Sequence, residues 1–299
     1  MPAAPPEHPA RGAADILRTS AHHDAFLKLN ERTRGLDAAR ALLAAEWRYL
    51  GPLLEGRTHP RVLDMACGSG SQTLAWAERG ARAVGIDFDH ALLVLGTAHA
   101  TDADHVRRRA GAGGAAPEWV CGDASRLPFP DGGFDVVFCN SLLEHVPDWR
   151  PVLAEIGRVL DPGGVAVVYT TNRHCPLQQE VNHFPFYSWL PDRVKRPVLR
   201  WIMAHRRDLV NYTDFPAVNW FTFPALRRAF EAVGLEPRDR IDLRSTGAGD
   251  GPPGALVRLL RAFPALKLAY YVVAISMGIY GVKARGGGSA ARPGTPATS

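Results

Sequence analysis

A glycine turn between two apolar runs constrains this chain most strongly. Residues 62–87 read VLDMACGSGSQTLAWAERGARAVGID: an apolar run, a turn containing Gly68 and Gly70, a helical stretch through Glu78, and a second apolar run ending at Asp87. Glycines are needed where a backbone turns sharply from a strand into a helix and approaches a ligand closely. The stretch therefore predicts a strand–turn–helix–strand unit with a binding site at its turn.

The alternation of strand-like and helix-like segments continues beyond this unit. Apolar runs of four to seven residues, separated by helical spacing or by glycine and proline, predict five strands: Arg61–Met65, Ala81–Ile86, Glu118–Cys121, Phe134–Asn140 and Val165–Thr170. The fourth run, FDVVFCN, is continuously apolar apart from its acid, which is typical of a strand buried on both faces. This rhythm predicts an α/β fold with a doubly wound parallel sheet and right-handed crossovers.

Changes in composition divide the chain into predicted parts. The 299 residues begin with a Pro/Ala-rich stretch and end with a Gly/Ser/Pro-rich one, and residues 172–220 break the rhythm with many aromatics, prolines and histidines. Helical spacing predicts two N-terminal helices at Asp15–Asn30 and Leu36–Leu54. The predicted division is a disordered N-terminus (1–14), a helical cover (15–57), a ligand-binding core (58–172), an inserted lid (173–222), a C-terminal completion of the sheet (223–285) and a disordered tail (286–299).

The C-terminal part contains an apolar segment with two interpretations. A helix is predicted at Phe223–Gly234, a strand at RDRIDLRS (238–245), and a final strand at the end of the uncharged run Leu268–Val282. That run has 15 residues, fewer than the roughly 20 that span a bilayer. We therefore expect it to be core. The alternative is a membrane surface contact within 254–283, with basic side chains directed toward lipid phosphates: Arg258, Arg261 and Lys267.

Charge and cysteine content argue against several classes of partner. The formal net charge is +5, but no basic block interleaved with aromatics occurs, so a nucleic-acid partner is not expected. The four cysteines form no CxxC pair, and no His/Asp/Glu cluster has ligand spacing, so neither a zinc site nor another metal is expected. The N-terminus has no apolar signal core. We expect a cytoplasmic protein, with membrane association as the alternative.

Two acids accompany the glycine turn in a D-x-A-x-G-x-G pattern. Asp64 precedes the turn, and Asp87 follows 17 residues after Gly70. A dinucleotide-binding turn requires glycine or alanine three residues after its second glycine, and this position is Thr73. This departure argues against a nucleotide-dependent oxidoreductase. A carboxylate at Asp87 could accept hydrogen bonds from ribose hydroxyls or could instead cap the next helix.

Four motifs in order resemble the class I S-adenosylmethionine (SAM)-dependent methyltransferases, most closely the ubiquinone and menaquinone biosynthesis methyltransferases. They are VLDMACGSG, VGID, CGDASRLPFPDGGFDVVFCNSLLEHV and LAEIGRVLDPGGVAVV, and together they cover residues 61–171. The chain departs from the family at Ala66, where a glycine is usual. The resemblance implies a Rossmann-like, seven-stranded, mostly parallel sheet with helices on both faces. It also implies a SAM-dependent methyltransferase activity with SAM as the cofactor.

The resemblance also implies roles for residues at the carboxyl ends of the strands. The turn with Asp64, Ala66, Gly68 and Gly70 would hold the methionine part of SAM, and Asp87 would hold the ribose. Phe88 would lie against the adenine, Asp123 would accept from the adenine amino group, and Ala124 would offer its N–H. Asn140 would form the floor of the site. Asp135, just before a buried strand, is expected to be a structural hydrogen-bonding group.

The methyl acceptor is less constrained. His145 follows the fourth predicted strand, where a general base could reach an acceptor, although a structural role is an equal alternative. In the lid, His183, Tyr187 and Tyr212 are candidates for acceptor binding. The lid's aromatics favour a small, hydrophobic acceptor, methylated at oxygen or carbon. A non-catalytic, membrane-associated binding protein on the same fold is the remaining alternative.

Overall fold

The computed structural model describes residues 35–54, 56–101, 115–176, 181, 184, 186–206, 209, 217–244, 251–274 and 276–285. The predicted helix at Asp15–Asn30 and both predicted disordered termini lie outside these residues. So do His183 and Tyr212, two of the predicted acceptor-binding residues.

The described strands form one seven-stranded sheet in the order β3–β2–β1–β4–β5–β7–β6. The strands are β1 (Arg61–Met65), β2 (Arg82–Asp87), β3 (Glu118–Cys121), β4 (Phe134–Asn140), β5 (Leu160–Thr171), β6 (Leu235–Arg238) and β7 (Ser276–Lys283). Strands β1 to β5 pair in parallel, and β7 is antiparallel to both β5 and β6. The predicted doubly wound, mostly parallel α/β sheet is confirmed.

Helices flank the sheet on both faces. They are α1 (Leu36–Leu53), α2 (Ser71–Glu78), α3 (His90–Thr101), α4 (Arg150–Val159), α5 (Asp192–His205), α6 (Phe223–Ala232), α7 (Arg240–Leu243), α8 (Gly251–Ala262) and α9 (Pro264–Val273). Alternate residues of β4 enter two separate hydrophobic clusters: Val137 packs with Ile156 and Phe230, whereas Val136 packs with Leu50 and Trp76. Both faces of this strand are therefore buried, as its continuous apolar run predicts.

The predicted strand at residues 238–245 is wrong. Strand β6 ends at Arg238, and the following residues form the short helix α7. Asp239 begins this helix with a capping box: its side chain accepts from the Asp242 N–H, and the Asp242 carboxylate accepts from the Asp239 N–H. The two reciprocal hydrogen bonds satisfy N–H groups that a helix start leaves unpaired, and this outweighs the alternating pattern of the segment.

The C-terminal apolar segment divides into two elements, so the expectation that all of it is core is only partly right. Strand β7 is the predicted final strand, and Ile279 and Tyr280 are fully buried in it. Helix α9, in contrast, exposes Leu266, Leu268 and Tyr270. Among the described residues, no helix has both the length and the apolar character required to cross a bilayer.

Two of the three basic side chains in this segment are directed toward the protein. Arg261 donates to the carbonyl oxygens of Ile241, Asp242 and Arg244, at 2.8, 2.8 and 2.5 Å. Lys267 forms ion pairs of 2.6 Å with both Asp239 and Asp242. These contacts attach α8 and α9 to α7. In the membrane alternative both cations would face lipid phosphates, whereas here both are bound to the protein.

The predicted insertion leaves and re-enters the sheet through a narrow neck. Asn172 and Phe221 form an isolated parallel bridge, and the Arg173 N–H donates to the Phe221 carbonyl at 2.8 Å. Between them lies a small hydrophobic cluster of the insertion's own side chains, with Val181, Tyr187, Leu199 and Ile202 buried in it. The exact division of the chain into the six predicted parts remains a prediction.

Candidate functional site

Polar side chains meet where neighbouring parallel strands end. Asp64 lies near the end of β1, Asp87 ends β2, and Asn140 ends β4. These three strands are adjacent in the sheet, with β1 in the middle. Because ligands of such sheets bind outside the carboxyl ends of the strands, this edge is the candidate site.

The glycine turn after β1 is fixed to the end of β2. The N–H of Cys67 donates to the Ile86 carbonyl at 3.1 Å, and the N–H of Gly68 donates to Oδ2 of Asp87 at 2.8 Å. The other carboxylate oxygen of Asp87 accepts from the Asp89 N–H at 2.9 Å. Asp87 therefore holds the turn in place, which is a role that neither predicted alternative included.

The turn contains three residues with left-handed backbone conformation. The φ angles are 56° at Ala66, 55° at Gly68 and 79° at Gly70. Glycine adopts this conformation without steric cost, whereas alanine pays roughly 1–2 kcal/mol because its Cβ approaches the next carbonyl. The conformation explains why glycine is usual at position 66 and shows that alanine there is strained.

Asp64 is buried and forms a hydrogen bond with the start of α2. Its Oδ2 accepts from the Thr73 hydroxyl at 2.6 Å. Burial, together with the negative charge of Asp87, raises the pKa of Asp64 to about 7 despite the Thr73 hydrogen bond. Burial also raises the pKa of Asp87, opposed by the N–H groups of Asp89 and Gly68. Thr73, which argued against a dinucleotide site, thus has a positive role that the sequence analysis missed.

The raised pKa of Asp64 predicts that the ligand-free protein loses stability as pH rises. Its folded-state pKa of about 7 exceeds the ordinary 3.8, so the folded state binds more protons between these values. The free energy of unfolding then falls by at most about 4 kcal/mol between about pH 4 and pH 7. Above about pH 7 this contribution no longer changes. In the Asp64→Asn variant, this contribution is absent, and the variant is more stable than wild type at pH 8.

Urea unfolding of both proteins at pH 5 and pH 8 measures this difference. Asparagine can still accept from Thr73, so the hydrogen bond is matched between the two proteins. Parallel pH dependences of wild type and variant would show that Asp64 is ionised at both pH values.

A tryptophan of β3 lies beneath the glycine turn. A Cβ added to Gly70 would lie 2.1 Å from Cη2 of Trp119, and one added to Gly85 would lie 2.9 Å from Cζ3 of the same ring. At Gly96 of α3 the corresponding distance is 3.2 Å. Glycines on three elements therefore make room for one ring that supports the turn. The sequence motifs do not indicate this cluster, although an isolated glycine inside a strand, as at Gly85, signals a close approach.

The predicted adenine-side residues lie beyond β2 and β3. Phe88, directly after Asp87, has 63% of its surface exposed. Asp123 is exposed, and its Oδ1 accepts from both the N–H and the hydroxyl of Ser125 at 2.8 Å. The neighbouring Ala124 is half-buried. At the end of β4, Asn140 is exposed, and its Oδ1 accepts from the Ser141 hydroxyl at 3.2 Å.

The loop after β4 is held by the segment that follows the insertion. The side-chain amide of Asn219 donates to the carbonyls of Leu143 and Val146 at 3.0 and 2.7 Å. The Asn219 N–H also donates to the Glu144 carbonyl at 3.1 Å. His145 is half-buried in this loop. Asn219 therefore fixes the backbone on both sides of His145, and nothing in its local sequence signals this.

This loop contains a buried acid, and two cysteines lie in the turn after β1 and at the end of β4. Glu144 is 4% exposed, and its Oε2 accepts from the Thr170 hydroxyl at 2.7 Å. Burial raises the pKa of both Cys67 and Cys139. Both thiols are therefore protonated near neutral pH, which agrees with a packing role for them. Among the described residues, no group of three or more His, Cys, Asp or Glu side chains could hold a metal ion.

Two further predicted residues have structural surroundings. Tyr187 is 1% exposed, and its hydroxyl donates to the Lys195 carbonyl at 3.0 Å. It packs inside the insertion here, so acceptor binding by Tyr187 stays a prediction that requires the insertion to rearrange. Asp135 accepts from the Arg61 N–H at 2.7 Å and forms ion pairs with Arg57 and Arg61. Its predicted structural role is confirmed.

Comparisons with known proteins agree with this site. Residues 63–168, which contain most of β1, all of β2 to β4 and most of β5, match the methyltransferase domain family. A demethylmenaquinone methyltransferase from Staphylococcus aureus is 28% identical over 183 residues, which cover 60% of this chain and 69% of that protein. The matched region includes the turn, both acids and the loop with His145.

One solved structure shares the fold. A structure from Galdieria sulphuraria assigned to a sarcosine dimethylglycine methyltransferase has a TM-score of 0.51 at 15% identity, covering 82% of this chain and 85% of that one. A Pyrococcus horikoshii structure is 27% identical with a TM-score of 0.35, and the match spans about half of its length (54%) and 43% of this chain. Residues 63–168, with the sheet order and the acids beside the glycine turn, therefore form a methyltransferase domain of the SAM-dependent kind.

Proposed function

We propose that this enzyme transfers the methyl group of SAM to oxygen or carbon of a small, hydrophobic acceptor. The observation that carries the cofactor's placement is the pair of buried acids at adjacent strand ends, Asp64 and Asp87, whose pKa values are both raised. A ligand with positively charged sulfonium and ammonium groups lowers the cost of keeping both carboxylates ionised. The acidic pair thus fits SAM better than it fits an anionic ligand.

The turn and Asp87 also fit the uncharged parts of SAM. An added Cβ at Gly68 would meet no atom within 4 Å, so the backbone there is open to a ligand. Each carboxylate oxygen of Asp87 accepts one backbone N–H, and a carboxylate oxygen has two lone pairs. Asp87 can therefore hold the turn and still accept both ribose hydroxyls, while the backbone from Ala66 to Gly70 contacts the methionine part.

The adenine would lie between the exposed ring of Phe88 and the loop after β3. Phe88 is 63% exposed, and aromatic rings stack with planar bases through their faces. Asp123 would accept from the adenine amino group, and Ala124 would offer its N–H. Asn140, exposed at the end of β4, would form the floor near the sulfonium.

Catalysis requires alignment of the acceptor and, for a hydroxyl or acidic carbon, removal of its proton. When bound, SAM supplies a methyl carbon that is activated by the adjacent positive sulfur. The chain's own residues must hold the nucleophile in line and exclude water. We propose His145 as the base, in a loop whose backbone Asn219 fixes at Leu143, Glu144 and Val146. The alternative, a purely structural His145, predicts unchanged turnover in a His145→Gln variant.

The acceptor's hydrophobic character is supported by two findings. The Staphylococcus aureus relative is named for demethylmenaquinone. In addition, aromatic side chains of the insertion are exposed: Phe184, Phe186, Trp189 and Trp201. Exposed rings grouped in one short region are typical of a surface that meets an apolar partner.

A peripheral membrane contact of a cytoplasmic enzyme is part of the proposal. The stretch 254–283 exposes apolar side chains on α8, on α9 and between them: Leu256, Leu259, Phe263, Leu266, Leu268 and Tyr270. Since Arg261 and Lys267 are directed inward and Arg258 is exposed, this stretch would contribute mainly apolar burial.

Two measurements test the proposal. Calorimetric titration with SAM should show binding to the folded wild-type protein. Radiolabelled methyl transfer from SAM into a cell extract, followed by solvent partition, should place the label in the organic phase. Absence of SAM binding by folded protein would contradict the cofactor assignment, and label confined to the aqueous phase would contradict the hydrophobic acceptor.

A further inference from the structure

Helix α5 of the insertion has two distinct stripes on its outward side. Its inward side is formed by Lys195, Leu199 and Ile202, all buried. Outward, one stripe consists of Arg193, Arg196 and Arg200, and the second consists of Val194, Pro197 and Trp201, all six exposed. Both stripes have the spacing i, i+3, i+7, which places their members along one line of a helix. An arginine line thus runs beside an apolar line on the same exposed surface.

Two further exposed aromatic side chains lie in the segment just before the helix. Phe186 and Trp189 are 51% and 53% exposed, and their rings contact each other with centroids 5.1 Å apart. Phe186 has a φ of 63°, a backbone conformation that costs a bulky residue free energy and that persists where the surroundings demand it. The indole N–H of Trp189 donates to the His174 carbonyl at 3.0 Å, which fixes the orientation of this exposed ring.

The charge on this surface is basic. The sole acid within α5, Asp192, pairs with Lys195 at 2.9 Å and with Arg173 at 3.7 Å. Lys195 is itself buried, with its ammonium 3.8 Å from the centroid of the Trp220 ring. The carboxylate of Asp192 lies at the N-terminal end of the helix, where it also attracts Arg196. The arginine stripe carries three positive charges against this one negative charge, so the surface is basic.

We propose that this surface of the insertion, the two stripes of α5 with Phe186 and Trp189, docks the enzyme on an anionic phospholipid membrane. Apolar side chains beside arginines suit the boundary between acyl chains and phosphates, where aromatic rings also favour residence. An aliphatic residue such as Val194 gains nothing against a nucleic acid, whereas it gains burial in acyl chains. The inference deepens the proposed function, since a hydrophobic acceptor dissolved in the membrane would lie beside the insertion.

The neck of the insertion connects this surface with the second apolar region. The amide of Asn172 donates to the carbonyls of Tyr271 and Ala274, each at 2.6 Å. The insertion's base and the end of α9 are thereby joined at the carboxyl end of β5. The arginines of α5 add phosphate-binding charge to that of Arg258, the exposed arginine of α8.

The test is co-sedimentation of the full chain with phosphatidylcholine vesicles, with and without phosphatidylserine. Wild type should pellet with the anionic vesicles and remain in the supernatant with phosphatidylcholine alone. Arg196→Glu/Arg200→Glu should weaken binding by at least about thirtyfold, and Trp201→Ala by about tenfold. The matched control is Arg82→Glu/Arg228→Glu, which makes the same charge change at exposed arginines elsewhere and should bind as wild type does.

Several outcomes would overturn the inference. The first two are wild type that does not bind anionic vesicles and a control variant that loses as much vesicle binding as the α5 variants. The others are wild type that binds single-stranded RNA instead of vesicles, and α5 variants whose only effect is to convert a dimer into a monomer in sedimentation velocity. SAM titration of the same proteins without vesicles separates the two proposals. Intact SAM binding without vesicle binding refutes the membrane surface alone, and vesicle binding without SAM binding refutes the proposed function alone.

Discussion

Replacing Asp87 with alanine is expected to lower the affinity for SAM at least about a hundredfold. The variant loses two charge-assisted hydrogen bonds to the proposed ribose hydroxyls. It also leaves the N–H groups of Gly68 and Asp89 without their acceptors, so the free energy of unfolding should fall by about 2 kcal/mol. Calorimetric titration with SAM and urea unfolding measure the two effects separately.

Asp89→Ala is the matched control for this variant. Asp89 carries the same charge two residues later, and its Oδ1 accepts from the Ala91 N–H at 2.9 Å, at the start of α3. Its removal should cost about 1 kcal/mol of stability as a lost helix cap and leave SAM affinity nearly unchanged. An equal loss of affinity in both variants would mean that net charge, and not a contact from Asp87, governs binding.

Replacing Gly70 with alanine is expected to destabilise the protein by about 4 kcal/mol and to abolish SAM binding. Two effects add: the left-handed φ of 79° costs roughly 1 kcal/mol or more, and the new Cβ would approach Trp119 to 2.1 Å. The ring and the turn must then move apart, at a cost typical of overpacking, about 1–3 kcal/mol. Thermal and urea unfolding measure the loss.

Gly68→Ala separates the two effects. Its φ of 55° is also left-handed, but an added Cβ there meets nothing within 4 Å, so only the backbone cost of roughly 1 kcal/mol applies. Leucine at position 119 leaves room for the new Cβ. Gly70→Ala should therefore cost less stability in the Trp119→Leu background than in the wild-type background. If both variants lost the same amount of stability, the contact with Trp119 would not contribute to the effect of Gly70→Ala.

The parallel core of the fold could be predicted because its signals are local. Strands β1 to β5 appear as short apolar runs, and the helices between them follow from spacing and from stop signals such as the DPGG after α4. The alternating pattern of residues 238–245 misled in the same local way, because the capping box of Asp239 and Asp242 decides for a helix. That signal is also present in the sequence. It starts a helix here because strand β6 ends at Arg238, directly before Asp239.

The candidate site could be predicted in part. The turn, Asp64 and Asp87 are adjacent to recognisable strands, so their meeting at one edge follows from parallel topology. The roles of Thr73, Trp119 and Asn219 do not follow, since each depends on a contact with another element. Thr73 donates to Asp64 across the turn, Trp119 lies against glycines of three elements, and Asn219 donates to the loop after β4. Hydrogen bonds and packing between elements are set only when the elements are assembled.

The sequence by itself determined the five parallel strands, the helices between them and the glycine turn with its two acids, because backbone preference and apolar periodicity act over a few residues. Its four motifs also carried the resemblance to the methyltransferases. The tertiary structure alone decided which charges face inward and which face outward. Arg261 and Lys267 turn toward α7, whereas the arginines of α5 stay on the surface. A side chain's partners come from distant parts of the chain, and only their packing decides whether a cation pairs within the protein or faces the solvent.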